Sequence, residues 1–345
     1  MFDIQLLNID AYMIVVIDGK LSKKYSNINK LCANNLIYLK TNILKKENQF
    51  INSYSGLIIY LKSTIKIKKP IYILHISKKK IYTKNNLQIV VFVEKKLKIQ
   101  MLEHYINKSK IKNINNINME MNINNKANIA YYKLEELNKI DYYLSNIIVH
   151  QKKYSKCEFY NINIYSYYLY NKVLINLKDE YSKCKVLGLF YPKKLIKNKI
   201  IINHKNNFTK SNVDYKGIIN DTSKGIFNCY INIKKNLKNV YGIQKNSNIL
   251  LSNNATIKTN PKLKIKSKDV VCTHKTIIGK INEDYIFYLR TRGIKKHLAK
   301  TLILLSLINE ILKKIEIKSL KKYLFFTKIK KIFGLKDIYL YKNVN

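Results

Sequence analysis

The feature that most constrains this 345-residue chain is a succession of short apolar or alternating segments with almost no helical period between them. From Tyr12 to about Thr276 they read YMIVVID, GLIIYL, IYILHI, LQIVVFVE, LKIQMLEHY, SNIIVHQ, KVLINLK, CKVLGLFY, KIIINH, GIFNCYINI, NILLS and PKLKI, with breaks at Asn, Lys, Ser or Gly. Each predicts a strand of about five to eight residues, because β-branched and aromatic side chains at period two suit a pleated, half-buried surface. So many short strands with turn-sized gaps point to a sandwich, a barrel or a β-solenoid, and propensity does not choose among them. One stretch interrupts the series. IKNINNINMEMNINNKAN, residues 111–128, is Asn-rich and of low complexity, and is expected to form a disordered loop insertion.

After Gly279 the period changes. In KINEDYIFYLRTRGI, Asn282 is the expected N-cap, Glu283 and Asp284 lie in a first turn that favours anions, and Gly293 is the expected residue just past the helix. A second helix over about 295–316 shows Leu298, Leu302, Leu305, Ile308, Leu312 and Ile315 at three- and four-residue spacing, an amphipathic stripe. A third, irregular helical stretch covers about 318–334. The expected division is a β body over 1–280 and a C-terminal helical region over 281–345.

Composition narrows the function classes. Lys, Asn, Ile and Tyr crowd every segment while Gly, Pro and Trp are scarce, the pattern of an AT-rich coding sequence. With 65 basic residues the formal net charge is +44, which ordinarily points to nucleic acid or an anionic membrane. The lysines are spread over almost every segment instead of forming one basic face or tail, so dedicated nucleic-acid binding is not expected. The five cysteines, Cys32, Cys157, Cys184, Cys229 and Cys272, are odd in number and widely spaced, without a CxxC pair. A disulfide framework or a zinc site is therefore not expected, and the compartment reads as reducing. No apolar run reaches the roughly 20 residues of a membrane span, and MFDIQLLNID has neither a basic leader nor an amphipathic one. Arginine occurs only as Arg290 and Arg292, in FYLRTRGI. Its planar fork of donors can close the last carbonyls of a helix or hold a carboxylate on a neighbour or partner, which lysine does only in part.

The chain shows no GxxxxGKS/T, no GxGxxG, no HExxH and no nucleophile with a base beside it. Cys272 and His274 stand two apart in an expected strand, so both side chains point to one face. A thiol and an imidazole so placed can bind iron, hold a sulfur species or move a proton. Taken on spacing alone, a buried Cys and a surface His that happen to alternate is the favoured explanation of the pair. His204 reads as structural, Cys184 and Cys229 as core, and His75, His104 and His150 receive no role.

The segment DVVCTHKTIIGKINEDYIFYLRTRGI, 269–294, resembles the C-terminal signature of the SufB/SufD family of iron–sulfur cluster assembly proteins, in its SufD branch. NILLSNNATIKTNPKLKIKSKD (248–269) and SNVDYKGIINDTSKGIFNCYI (211–231) are similar to further family motifs, and GLIIYLKSTIKIKKPIYILHI (56–76) and YMIVVIDGKLSKKYSNI (12–28) to early ones. Glu103, His104 and Tyr105 match the family's EHY, read here as packing within a rung. There are departures. The helical region that precedes the first strand in such proteins is expected to be missing, since that strand starts at residue 12. The Asp-Asn-His-Thr stretch is replaced by Lys197, Asn198, Lys199 and Ile200, and Gly-Ala-Thr after the Cys-x-His by Lys275, Thr276 and Ile277.

The resemblance implies a right-handed parallel β-helix with C-terminal helices, which suits parallel strands that have no helices between them. It implies a non-catalytic scaffold subunit, with a transient iron–sulfur cluster at a partner interface and no stably bound cofactor. The implied partners are a SufB-like paralogue met through the β-helix and a SufC-like ABC-type ATPase met through the C-terminal helices, in a bacterial cytoplasm or a plastid stroma. On this resemblance His274 and Cys272 are the cluster-assembly candidates, and Arg290, Arg292, Leu302, Leu305 and Ile308 the partner-binding ones. Two other readings remain: a SufB-like subunit, disfavoured by the missing cysteine near Asn246 to Asn248, and a basic β-rich nucleic-acid-binding protein.

Overall fold

The computed structural model describes residues 9–27, 37–41, 55–63, 67–78, 83–108, 111, 113–137 and 141–332. The chain divides into a body, Ala11–Ile278, and a second unit that takes in the chain from Gly279 onward.

The body is a β-solenoid of about seven turns. One sheet stacks β1 (Tyr12–Ile17), β5 (Ile71–Ser77), β7 (Lys98–Asn107), β9 (Asn128–Glu136), the first halves of β11 (Lys156–Leu177) and β12 (Lys183–His204), β13 (Lys210–Ile219), β15 (Val240–Leu250) and β17 (Val270–Gly279). The other stacks β4 (Ser55–Leu61), β6 (Thr83–Val93), β8 (Asn113–Ile123), β10 (Tyr142–Gln151), the second halves of β11 and β12, β14 (Lys224–Ile233) and β16 (Thr256–Ile265). The pairings within both stacks as far as β15 and β16 are parallel. Among the described residues, β2 (Lys20–Leu21) on β1 and β3 (Ile37–Thr41) on β4 run antiparallel.

Register explains why alternation suffices to build this body. Val149, Ile175, Ile202 and Ile231 stand opposite one another on successive rungs, all buried, so one apolar position per rung makes a continuous inward column. Six turns between successive rungs carry a non-glycine residue in the left-handed region, at Lys96, Lys126, Tyr154, Tyr181, Phe208 and Asn236. That conformation costs roughly 1–2 kcal/mol per residue. Stacking of Tyr154 on Tyr181 at 4.7 Å, and of Tyr181 on Phe208 at 4.8 Å between centroids, offsets part of it.

The Asn-rich stretch expected as a disordered loop is instead strand β8, with alternate residues buried. Asparagine is a poor strand former in isolation, but stacked rungs let its amide pair across. Asn85 Nδ2 donates to Asn115 Oδ1 at 3.0 Å, and Asn116 Nδ2 to Asn86 Oδ1 at 3.3 Å.

The interior also holds a polar column. Glu103 Oε1 lies 3.0 Å from His75 Nε2, and the carboxyl accepts from the Tyr131 hydroxyl. Burial pushes the Glu103 carboxyl up, yet His75, Lys133 and Tyr131 together bring it below its ordinary value. Lys133 donates to Glu135 and, at 3.0 Å, to Asn171 Oδ1, while Asn163 donates to Glu135. Glu103, His104 and Tyr105 are all buried, Glu103 and Tyr105 on one face of β7 and His104 on the other, and their polar contacts span rungs: Tyr72 and Glu136 flank His104 at 2.7 and 3.1 Å.

In the second unit, α1 (Glu283–Thr291) begins at Asn282, whose side chain accepts from Asp284 N at 2.8 Å, and ends at Gly293 with φ +82°. Then follow α2 (Lys296–Leu312), α3 (Lys318–Tyr323), a π-helical turn Leu324–Ile329 and the short α4 (Lys330–Ile332). No described helix is long and apolar enough to cross a membrane.

Candidate functional site

The last rung differs from every other. None of the residues of β16 or β17 is buried, and Ile265, Val271, Ile277 and Ile278 are exposed. In a solenoid each rung is covered by the next, so the final one leaves apolar side chains and backbone edges open unless something else covers them.

Cys272 and His274 lie on this rung, on the same side of β17 as the alternation requires. Cys272 is half-buried and packs on the apolar cluster of Ile231, Ile233, Leu237 and Val240. Burial raises its thiol pKa, and a hydrogen bond from the Gly242 backbone N–H to the sulfur pulls partly the other way. The group is therefore held as a thiol with a preformed donor to any thiolate that forms. His274 is exposed. Among the described residues no group of three His, Cys, Asp or Glu gathers to hold a metal. Two donors occupy only part of the coordination sphere of iron, so a metal there would need ligands from another molecule.

The other cysteines and histidines are elsewhere. Cys157, Cys184 and Cys229 are buried in the body core, and burial raises their thiols, that of Cys157 to about 12. His204 is buried between Thr209 Oγ1 at 2.7 Å and Ser211 Oγ at 2.8 Å, with its pKa lowered to about 4 by burial. Cys32 falls outside the described residues.

The partner-binding candidates separate into two kinds. Leu305 and Ile308 are buried and Leu302 is half-buried. Most of the apolar stripe of α2 therefore packs within the folded chain, with Leu302 left partly accessible. Arg290 and Arg292 are exposed. The carbonyls at the end of α1 are met by backbone N–H groups, Gly293 N on Arg290 O at 2.9 Å and Ile294 N on Leu289 O at 3.2 Å. The arginine fork is thus not needed for the cap. Arg292 instead lies over the Tyr288 ring, 4.7 Å from its centroid, a contact that suits a planar guanidinium. Sequence reasoning missed the surface beside it. Tyr285, Phe287 and Tyr288 are exposed, Phe287 by 68%, while Ile286 alone of that run is buried. The signal was there in YIFY, since three consecutive aromatic or apolar positions around a helix cannot all face one core.

The family model for the SUF system FeS cluster assembly SufBD core domain matches residues 75–307, more than half of the chain. The iron–sulfur cluster assembly protein SufD of Escherichia coli is 32% identical over 108 residues, 31% of this chain and 26% of that protein. A SufBD family protein of Synechocystis is 31% identical over 111 residues, 32% of this chain and 24% of its own length. SufD of Bacillus subtilis is 28% identical over 108 residues, 31% and 25% respectively. The aligned stretch thus spans about a quarter of the length of these relatives.

Proposed function

This chain belongs to the SufBD family of iron–sulfur cluster assembly proteins, in its SufD branch, and on that premise we propose that it is a non-catalytic scaffold subunit of a SufBCD-type complex. The observation that carries the reading is the uncovered last rung bearing Cys272 and His274. A SufB-like paralogue laid against β16 and β17 covers Ile265, Val271, Ile277 and Ile278 and supplies the ligands that two donors lack. A cluster formed there is cargo shared between two proteins, held transiently and then passed on.

ATP hydrolysis falls to a separate SufC-like ABC-type ATPase, because this sequence has no phosphate loop of its own. The aromatic face of α1, with Arg292 laid on Tyr288, suits its docking. Exposed aromatic residues beside an arginine are the usual anchors of protein interfaces. The setting is a bacterial cytoplasm or a plastid stroma.

Co-expression with a SufB-like and a SufC-like protein tests this. A three-protein complex that elutes as one species, and that loses the SufB-like partner when Val271 and Ile277 are changed to Asp, is the expected result. Separate elution of all three proteins rejects it.

A further inference from the structure

A second feature lies on the flank of the solenoid. The ends of β12, β14 and β16 border a solvent-open cleft of about 650 Å³ lined by Lys205, Lys234, Lys235, Lys264 and Lys266, with Asn203, His204, Asn232 and Ile233 completing its wall. Register makes this arrangement. His204, Ile233 and Ile265 are opposite one another on three successive rungs, and one residue beyond each stands a lysine. The column continues upstream, where Lys152 and Lys178 follow Gln151 and Leu177 in the same register. Backbone bonds keep it aligned: Lys178 N donates to Gln151 O, Lys205 N to Leu177 O and Lys234 N to His204 O.

Rungs are spaced about 4.8 Å apart, so the column sets lysine backbones on adjacent rungs, and like charges opposite one another destabilise a sheet. Upstream the charge is partly answered, since Lys153 pairs with Glu180 at 3.0 Å. At the cleft it is not. No carboxylate lines it, and none of its five lysines forms an ion pair among the described residues. The field reaches His150, whose pKa is lowered by burial first and then by Lys178 and Lys205. A bias toward lysine over the whole chain supplies the residue type, but not the convergence of five on one cleft without a counter-charge.

We propose that this cleft binds a compact polyphosphate anion, either free or as the phosphate tail of a nucleotide. Five cations around one such volume call for several negative charges within a few atoms, which a polyphosphate carries and a peptide, with one carboxylate per residue, does not. No aromatic side chain lines the cleft, so it offers no platform for stacking the bases of a single-stranded nucleic acid.

The test is calorimetric titration of the 345-residue chain with inorganic tripolyphosphate at about 0.15 M salt. One saturable site is expected, weakened roughly tenfold or more by the triple change Lys234→Gln, Lys264→Gln and Lys266→Gln. The equally charged control Lys95→Gln, Lys98→Gln and Lys156→Gln, on exposed residues away from the cleft, is expected to stay within about twofold of the parent. ATP competing as well as tripolyphosphate identifies the nucleotide tail as the recognised form, and ATP competing poorly identifies the free anion. The proposal is overturned by the absence of saturable binding, by equal losses in both triple variants, or by displacement that strengthens steadily with oligonucleotide length.

Discussion

The sulfur of Cys272 rests against Gly242 on the neighbouring rung so closely that a methyl group on Gly242 would stand 3.0 Å from Sγ. The glycine is what lets the thiol turn inward under a backbone N–H. Gly242→Ala keeps that N–H but forces the sulfur outward by a few tenths of an ångström. Alkylation of Cys272, followed by peptide mass mapping, is expected to speed up several-fold while thermal unfolding changes little; an unchanged rate would mean that the contact does not control the thiol.

His274 is exposed and takes part in no core packing, so its removal should not disturb the fold. In the co-expressed complex, His274→Ala is expected to leave assembly and ATPase activity near normal while the iron and sulfide recovered fall sharply. Cys272→Ser is expected to have the smaller effect. Full iron and sulfide in the His274 variant would remove it from the site.

The two apolar surfaces of the second unit predict opposite phenotypes. Ile308 is 2% exposed, so Ile308→Ala should cost about 2–5 kcal/mol of stability in denaturant unfolding. Phe287→Ser at an exposed position should change stability by no more than about 0.5 kcal/mol, yet abolish retention of the ATPase. If Phe287→Ser retains the ATPase fully, α1 is not the docking face.

His204 gives the body a pH dependence of known sign. Its pKa is about 4 in the folded chain and near 6.5 when unfolded, so between these values the unfolded state binds the extra proton. The stability contributed by the neutral ring is complete above about pH 6.5 and is lost as the pH falls toward 4, by about 3 kcal/mol. Urea midpoints at pH 7 and pH 4.5 should diverge less in His204→Asn than in the parent.

Lys133 and Glu135 are both 1% exposed and paired. Burial raises the Glu135 carboxyl, and Lys133 offsets it in part. Lys133→Met, which leaves the carboxylate buried without its cation, should cost about 3–5 kcal/mol. The double variant Lys133→Met, Glu135→Gln should recover a good part of that in the same unfolding measurement. A double variant no more stable than the single one would show that the ammonium matters through Asn171 and through the Tyr143 ring, whose centroid lies 4.9 Å from Lys133 Nζ.

What the sequence determined by itself was local. Alternation along each strand set which residues face inward, as Val149, Ile175 and Ile202 do, and Asn282 and Gly293 marked the ends of α1 because capping is decided within a few residues. The motif around Cys272 and His274 placed both on the last rung. What only the tertiary structure decided depends on residues brought together from a full turn away. Asn115 and Asn116 sit in a strand because Asn85 and Asn86 lie beside them on the neighbouring rung, and nothing within 111–128 reveals those partners. The stripe of α2 records that a surface is covered but not by what, and it took the folded chain to show Leu305 and Ile308 buried and Leu302 half-buried. Lys205, Lys234 and Lys266 are separated by about thirty residues each and are ordinary surface lysines until parallel register sets them on adjacent rungs, where their charges add at one cleft.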